Sequence, residues 1–318
     1  MVGPTAAGKT AVGIALARRL GAEIVSADSM QVYRRMDIGT AKPTPSERAQ
    51  AWFHGLDVTD PDADWTLADF QRLGESACAE IAARGNLPLI VGGTGLYVRA
   101  LTTRLEIPHT PPDEEFRARW RQAAQEGGNE FVQSELARVD PEAAGRIHVN
   151  DLGRLIRALE VYEATGVSLS EWHARNRAQT DLLDVRLFGV NFADRRLLYA
   201  CIDARVDQML AEGFLDEVRG LLALGYGREL KPMHSLGYRQ MAAHLAGELT
   251  WAEAVAQTKQ ETRHFARRQL IWFRADKRIQ WLEAADKTPD ALADAIAEFL
   301  SKTDTHEGDY EADEQAAD

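Results

Sequence analysis

Residues 3–10 read Gly3-Pro4-Thr5-Ala6-Ala7-Gly8-Lys9-Thr10, a complete match to GxxxxGK followed by Ser or Thr. Each position has a chemical reason. The glycines let the backbone curl until successive N–H groups converge on phosphate oxygens. Lys9 neutralises charge, and the Thr10 hydroxyl is placed for Mg²⁺. The run Ala11-Val12-Gly13-Ile14-Ala15-Leu16-Ala17 predicts a helix behind this loop, with its positive dipole end toward the anion. A di- or triphosphate ligand follows. A loop of this kind succeeds a buried strand, yet only Met1 and Val2 precede Gly3. The sequence is therefore expected to begin late, inside that strand.

Downstream, residues 23–27 (EIVSA) and 87–91 (LPLIV) are short apolar strands. Between them Thr66-Leu67-Ala68-Asp69 resembles a capping box, and Leu67, Phe70, Ala77, Cys78 and Ile81 keep helical spacing until Gly85. Strands alternating with helices predict a parallel sheet. At His109-Thr110-Pro111-Pro112 the texture changes, and the next ~70 residues are helical and charged. Residues 187–191 (LFGVN) return to the sheet, and Thr250-Trp251-Ala252-Glu253 opens a long helix. The expected fold is α/β: a P-loop NTPase-like parallel sheet core with an all-helical insertion domain. Residues 1–108 and 181–302 form the core, 109–180 the insertion, and 303–318 an acidic, disordered tail.

The chain has 318 residues, 45% apolar, and a formal net charge of −12. No run approaches the ~18 apolar residues of a membrane span, and no secretory signal precedes the Gly-rich loop. Two cysteines without a CxxC pair exclude a disulfide framework or zinc cluster. A cytoplasmic monomer is expected. The acidic balance argues against nucleic acid, but seven of the negative charges lie in residues 303–318. The cations comprise 30 Arg and 7 Lys, from compositional bias or from the fit of guanidinium to phosphate.

Asp28 follows the first strand, at the sheet edge where α/β folds bind ligands, and is a candidate general base. An N-cap role beside Ser29 is its alternative. Lys259, Arg263, Arg267 and Arg274 fall within roughly an 80° arc of one helix, and Arg263 to Arg274 spans about 16 Å. Trp272 lies opposite and is expected to pack inward. A single-sign stripe suits an anionic partner such as RNA, although a solvated face would look similar.

The segments GPTAAGKT, SADSMQVYRRMDIGTAKP, LPLIVGGTGLY, RIHVNDLGRLIRALEVYEATG, LGYRQM and ARRQLIWFR, in this order from residue 3 to about 274, resemble the bacterial-type tRNA dimethylallyltransferases (tRNA isopentenyltransferases). The resemblance implies transfer of a dimethylallyl group from its diphosphate to N6 of the adenosine 3′-adjacent to the anticodon, position 37. Diphosphate is released, and Mg²⁺ assists. It implies Asp28 as base, with Thr5 and Arg205 acting around the diphosphate. Without it, Arg205 would read as a surface arginine. It also implies tRNA contacts at Asp28, Ser29, Met30, Gln31, Thr94, Arg117, Arg154, Arg157, Leu236, Gly237, Tyr238, Arg239, Arg267, Arg268 and Arg274, with the insertion gripping the anticodon arm. This sequence has Gly153 where the family commonly has Gln, which removes one contact. The alternative is a P-loop kinase of a nucleoside or small metabolite, with Asp28 as base toward a hydroxyl. That reading leaves DIGTAKP and the arginine stripe unexplained.

Overall fold

The computed structural model describes residues 1–103, 105–108, 110–178 and 184–315, with side chains at all of these except 177, 178 and 303–315. The expected boundary between residues 180 and 181, the breaker residue 109 and residues 316–318 lie outside the described residues. The chain divides into two compact units. The first holds Met1–Trp65, Asp69–Arg99 and Val185–Asp318, and the second Thr66–Ala68 and Ala100–Asp184.

In chain order the elements are α1 (Lys9–Leu20), β1 (Ala22–Ser26), α2 (Pro45–Arg48), β2 (Phe53–His54), α3 (Leu67–Ala83), β3 (Leu87–Val91) and α4 (Gly95–Thr102). Then follow α5 (Glu114–Val139), α6 (Pro141–Arg146), α7 (Leu152–Thr165) and α8 (Leu169–Ala178). The remainder is β4 (Leu187–Asn191), α9 (Arg195–Ala211), α10 (Phe214–Ala223), a short 3₁₀ turn, α11 (Tyr238–Leu245), α12 (Trp251–Ala275), β5 (Ile279–Glu283) and α13 (Pro289–Gln315).

All strand pairs are parallel, in ladders β2-β1-β3 and β4-β5. The first two residues join them. The Met1 nitrogen donates to Ile90 O at 2.7 Å, and Gly92 N–H returns to Met1 O. On the other side Val2 N–H donates to Phe188 O, and Val190 N–H to Val2 O. Met1 and Val2 thus occupy the strand place ahead of the Gly-rich loop that the sequence pattern requires.

Ile24, Val91 and Val190 of the strands pack with Val12, Ile14 and Leu16 of α1 and with Leu292, Ala293 and Ile296 of α13 in one core. α1 runs from Gly8 to Gly21, whose φ of 60° ends it in the left-handed conformation that glycine adopts without strain. Strand β5, unanticipated because Ile279–Glu283 alternates poorly, pairs along the whole of β4. The region expected to be a disordered tail continues α13 as far as Gln315. Once Leu292 and Ile296 anchor the first turns, extension adds one hydrogen bond per residue fixed, which local composition does not reveal.

The second unit is helical through α5–α8 and wider than the expected insertion, beginning at Ala100. Its core unites Phe116, Val132, Leu136, Leu155, Ile156 and Leu159. Gly128, with φ 80°, kinks α5. Glu160 of α7, almost wholly buried, accepts from Arg117 Nε at 2.8 Å and Nη2 at 3.0 Å and from Asp113 N–H at 2.9 Å. Arg157 completes this cluster and also donates to Thr110 O and Oγ1. Burial opposes the charge of Glu160, but the Arg117 and Arg157 bonds outweigh it and hold its pKa below the usual range.

Candidate active site

The site lies at the carboxyl ends of the parallel strands, where three loops leave the sheet. The first is the Gly3–Gly8 loop. Gly3 has φ 143°, and a Cβ there would stand 2.3 Å from Val190 O, so only glycine passes β4 so closely. Ala6 adopts φ 63°, and Gly8 enters α1 without a side-chain cap. The first N–H groups of α1 therefore have no competing side-chain acceptor at the N-cap. Lys9 folds back over the loop, its Nζ donating to Pro4 O at 2.7 Å. Burial and the neighbouring Arg205 charge lower its pKa to about 7, with Asp28 opposing.

The second loop follows β1 and carries Asp28, whose Oδ1 accepts the Met30 N–H at 2.9 Å. Burial raises its pKa, opposed by the Met30 N–H and by Lys9. Arg205, reaching in from α9, has its pKa lowered by burial, with Asp28 opposing. It lines the cleft and is not the surface arginine that its sequence context alone suggests. The third loop follows β3: Thr94 Oγ1 accepts Ser29 N–H at 3.0 Å and lies 3.3 Å from Ser29 Oγ. Thr5, Lys9, Thr10, Asp28, Gln31 and Arg205 line one cleft of about 1120 Å³.

The DIGTAKP segment forms another wall of this cleft, and its residues are held from behind. The Glu217 carboxylate on α10 accepts the N–H groups of Asp37 (2.8 Å), Ile38 (2.7 Å) and Gly39 (3.1 Å) and the Tyr238 hydroxyl (2.6 Å). A Cβ on Gly39 would fall 2.1 Å from Phe214 and 2.6 Å from Tyr238. Lys42 is buried and donates to Tyr33 O, to Asp37 Oδ1 and to Asp57 Oδ1, the last two at 2.7 Å. Gln31 receives the Ser26 hydroxyl and donates to Thr40 O and Ala41 O. Sequence reasoning missed Glu217, which looks like any helix-surface glutamate until the loop folds onto it.

Several residues expected to touch tRNA serve the fold. Tyr238 is 1% exposed and Gly237 is buried against Phe214. Packing withholds both from a surface contact, while Arg239 is exposed and Leu236 half-buried. The cationic stripe on α12 is only partly single-signed: Lys259 pairs with Asp207 at 2.6 Å and Arg263 with Asp203 at 2.5 Å, both on α9. Arg267, Arg268 and Arg274 are exposed. Trp272, expected inside, is 46% exposed and lies against Gly95, while Phe273 takes the buried position. In the second unit Arg154 is exposed beside Asp151, whereas Arg117 and Arg157 are committed to Glu160.

Comparison with known proteins supplies the context for this geometry. The model of the IPP transferase family matches residues 31–276, and that of isopentenyl transferase residues 1–51. The tRNA dimethylallyltransferase of Symbiobacterium thermophilum is 49% identical over 300 residues, covering 94% of this chain and 92% of that one. The full-length tRNA isopentenylpyrophosphate transferase of Bacillus halodurans has a similar structure, with a TM-score of 0.71 at 37% identity over 98% of this chain and 97% of that chain. A eukaryotic dimethylallyltransferase acting on tRNA gives a TM-score of 0.77 at 25% identity, over 95% of this chain and 78% of that chain. With a family match across most of its length and relatives aligned nearly end to end, the chain belongs to the IPP transferase family.

Proposed function

We infer that this chain is a tRNA dimethylallyltransferase, moving the dimethylallyl group of dimethylallyl diphosphate onto N6 of the adenosine 3′-adjacent to the anticodon, position 37. The observation that carries this assignment of roles is the convergence of Lys9, Thr10, Asp28 and Arg205 on one cleft. The N–H groups of the first turn of α1 and of the loop residues just before it bind the diphosphate, while the Thr5 N–H is held by Gln269, and Lys9 and Arg205 serve as counter-charges. As the C1–O bond breaks, its electron pair leaves with diphosphate, where those cations meet the growing charge. N6 forms the new bond to C1, and its proton passes to Asp28. Burial raises the basicity of that carboxylate toward the range a general base needs. Thr5, beside Lys9 in the cleft wall, fits a role in orienting the diphosphate.

Mg²⁺ suits this donor set. Thr10 offers a half-buried hydroxyl on the cleft wall, the hard oxygen ligand this ion takes together with phosphate oxygens. When bound, it neutralises charge on the leaving group. The exposed Arg267, Arg268, Arg274, Arg239 and Arg154 are the proposed phosphate contacts, with Ser29, Met30, Gln31 and Thr94 near the reacting base. The anticodon arm is the expected partner of the helical unit. A monomer is the proposed state, and a tRNA substrate supports a cytoplasmic location. No helix among the described residues is long and apolar enough to cross a membrane.

Purified protein incubated with unmodified tRNA, Mg²⁺ and labelled dimethylallyl diphosphate, beside a parallel ATP incubation, tests the assignment. Label in tRNA is expected. ATP-dependent phosphorylation without prenylation would refute it.

A further inference from the structure

We propose that Gln269 is a positioning residue that clamps the diphosphate loop in its binding shape. The inference rests on the functional reading above and adds a residue to it. Gln269 is 6% exposed on α12. Its Oε1 accepts the Thr5 N–H at 2.8 Å, and its Nε2 donates to Gly93 O at 2.9 Å. A side-chain amide can accept from one peptide and donate to another at the same time, through two different atoms. The amide thereby ties the loop before α1 to the loop after β3, segments with no covalent connection nearby.

The second loop is shaped to receive it. A Cβ on Gly93 would stand 2.3 Å from Gln269 Nε2, with no other atom nearer than 3.5 Å, and that next atom is Gln269 Cδ. One turn on, Trp272 covers Gly95, where a Cβ would meet its ring at 2.2 Å. Gly93 and Gly95 of VGGTG thus make room for side chains of ARRQLIWFR.

The clamp lands on loops, while α12 is buried independently through Ala254, Thr258, Thr262, Ala266 and Phe273. Loss of the amide therefore releases the loops and leaves the helix packed. The Thr5 N–H then has no partner, and the loop must be ordered at the moment the diphosphate binds, which weakens binding. The exposed arginines of α12 keep their positions, so tRNA affinity stays unchanged.

A double-mutant cycle decides the matter, with calorimetric affinity for inorganic diphosphate as its readout. Gln269→Ala and Gly93→Ala each weaken diphosphate binding about tenfold. The pair together is no weaker than either alone, because the added methyl acts only by displacing an amide that Gln269→Ala has already removed. KM for dimethylallyl diphosphate rises, while the tRNA dissociation constant stays within about twofold. If Gln269→Ala does not fold, Gln269→Met keeps the volume and must show the same tenfold loss. Unchanged diphosphate affinity, additive losses, or an equal fall in tRNA affinity would each overturn the proposal. If the parent protein binds diphosphate but transfers nothing to tRNA, the proposed reaction fails and the clamp stands. A parent protein that binds no diphosphate removes both.

Discussion

Two side chains of the cleft have unusual protonation, with measurable consequences. Lys9 sits at about pKa 7 in the free protein because burial and Arg205 disfavour its charge. A bound diphosphate supplies the missing counter-charge and lifts that value. Between pH 7 and the ordinary lysine range, binding must therefore take up a proton. At pH 8, calorimetry in buffers of different ionisation enthalpy should show an uptake of about 0.5–1 proton. No buffer dependence would mean that Lys9 is charged beforehand. Asp28 shifts the opposite way, its carboxylate made more basic by burial. Asp28→Asn should lower kcat about 100-fold or more while inorganic diphosphate binds at least as tightly, since the substitution removes a base and a repelling charge. The place of Asp28 was legible, because an Asp at the end of a β strand is visible in sequence. The burial of Arg205 was not, since nothing in the residues around it marks the side of α9 that faces the cleft.

At the scale of elements, α12 has faces with different duties. Its buried side carries the packing and Gln269, and its cationic arc is half neutralised by Asp203 and Asp207 of α9. Helical geometry predicted the arc correctly, but carboxylates on another helix are invisible to a one-helix projection. Arg267 is exposed. Arg267→Glu is expected to weaken tRNA binding and reduce its salt slope by about 1–2, with diphosphate affinity unchanged, in titrations at several salt concentrations. An unaltered tRNA affinity would make that arginine a solvated surface residue. Helices α5 and α7 are joined by Glu160 with Arg117 and Arg157. Glu160→Ala leaves Arg157 without its carboxylate and Arg117 with only the exposed Glu114, and should destabilise the protein by about 2–3 kcal/mol, read from denaturant unfolding. A smaller effect than 1 kcal/mol would show that solvent replaces the pair.

Over the whole molecule, one carboxylate reports on the integrity of the sheet. Glu23 of β1 accepts from Arg84 and Asn86, just before β3, and lies 2.7 Å from His54 Nε2 of β2. The Arg84, Asn86 and His54 bonds lower its pKa to about 2. Its folded value lies below the unfolded one, so its stabilisation is complete above the usual carboxylate range. It disappears as pH falls toward 2. Acid titrations of stability should therefore be shallower in Glu23→Gln, which starts less stable at neutral pH. Parallel acid limbs would show that the network carries no linkage.

Net charge, by contrast, was a poor guide at this scale. A value of −12 argued against an RNA partner, although electrostatic binding depends on the local field of groups such as Arg267, Arg268 and Arg274 and not on the sum.

What the sequence by itself determined was the local structure and order of parts: the Gly-rich turn into α1, the strands at 87–91 and 187–191, the capping box opening α12, and the family-like motifs. These depend on turn conformation, side-chain periodicity and end caps, all of which act over a few neighbouring residues. Only the tertiary structure decided which motif residues face the cleft and which hold it together. Tyr238, Lys42 and Gln269 lie in segments as family-like as the P-loop, yet each is spent on hydrogen bonds inside the protein. Their partners Glu217, Asp57 and Thr5 lie 21, 15 and 264 residues away. A buried polar group must find its partner wherever the fold brings one, and that distance in sequence carries no local signal.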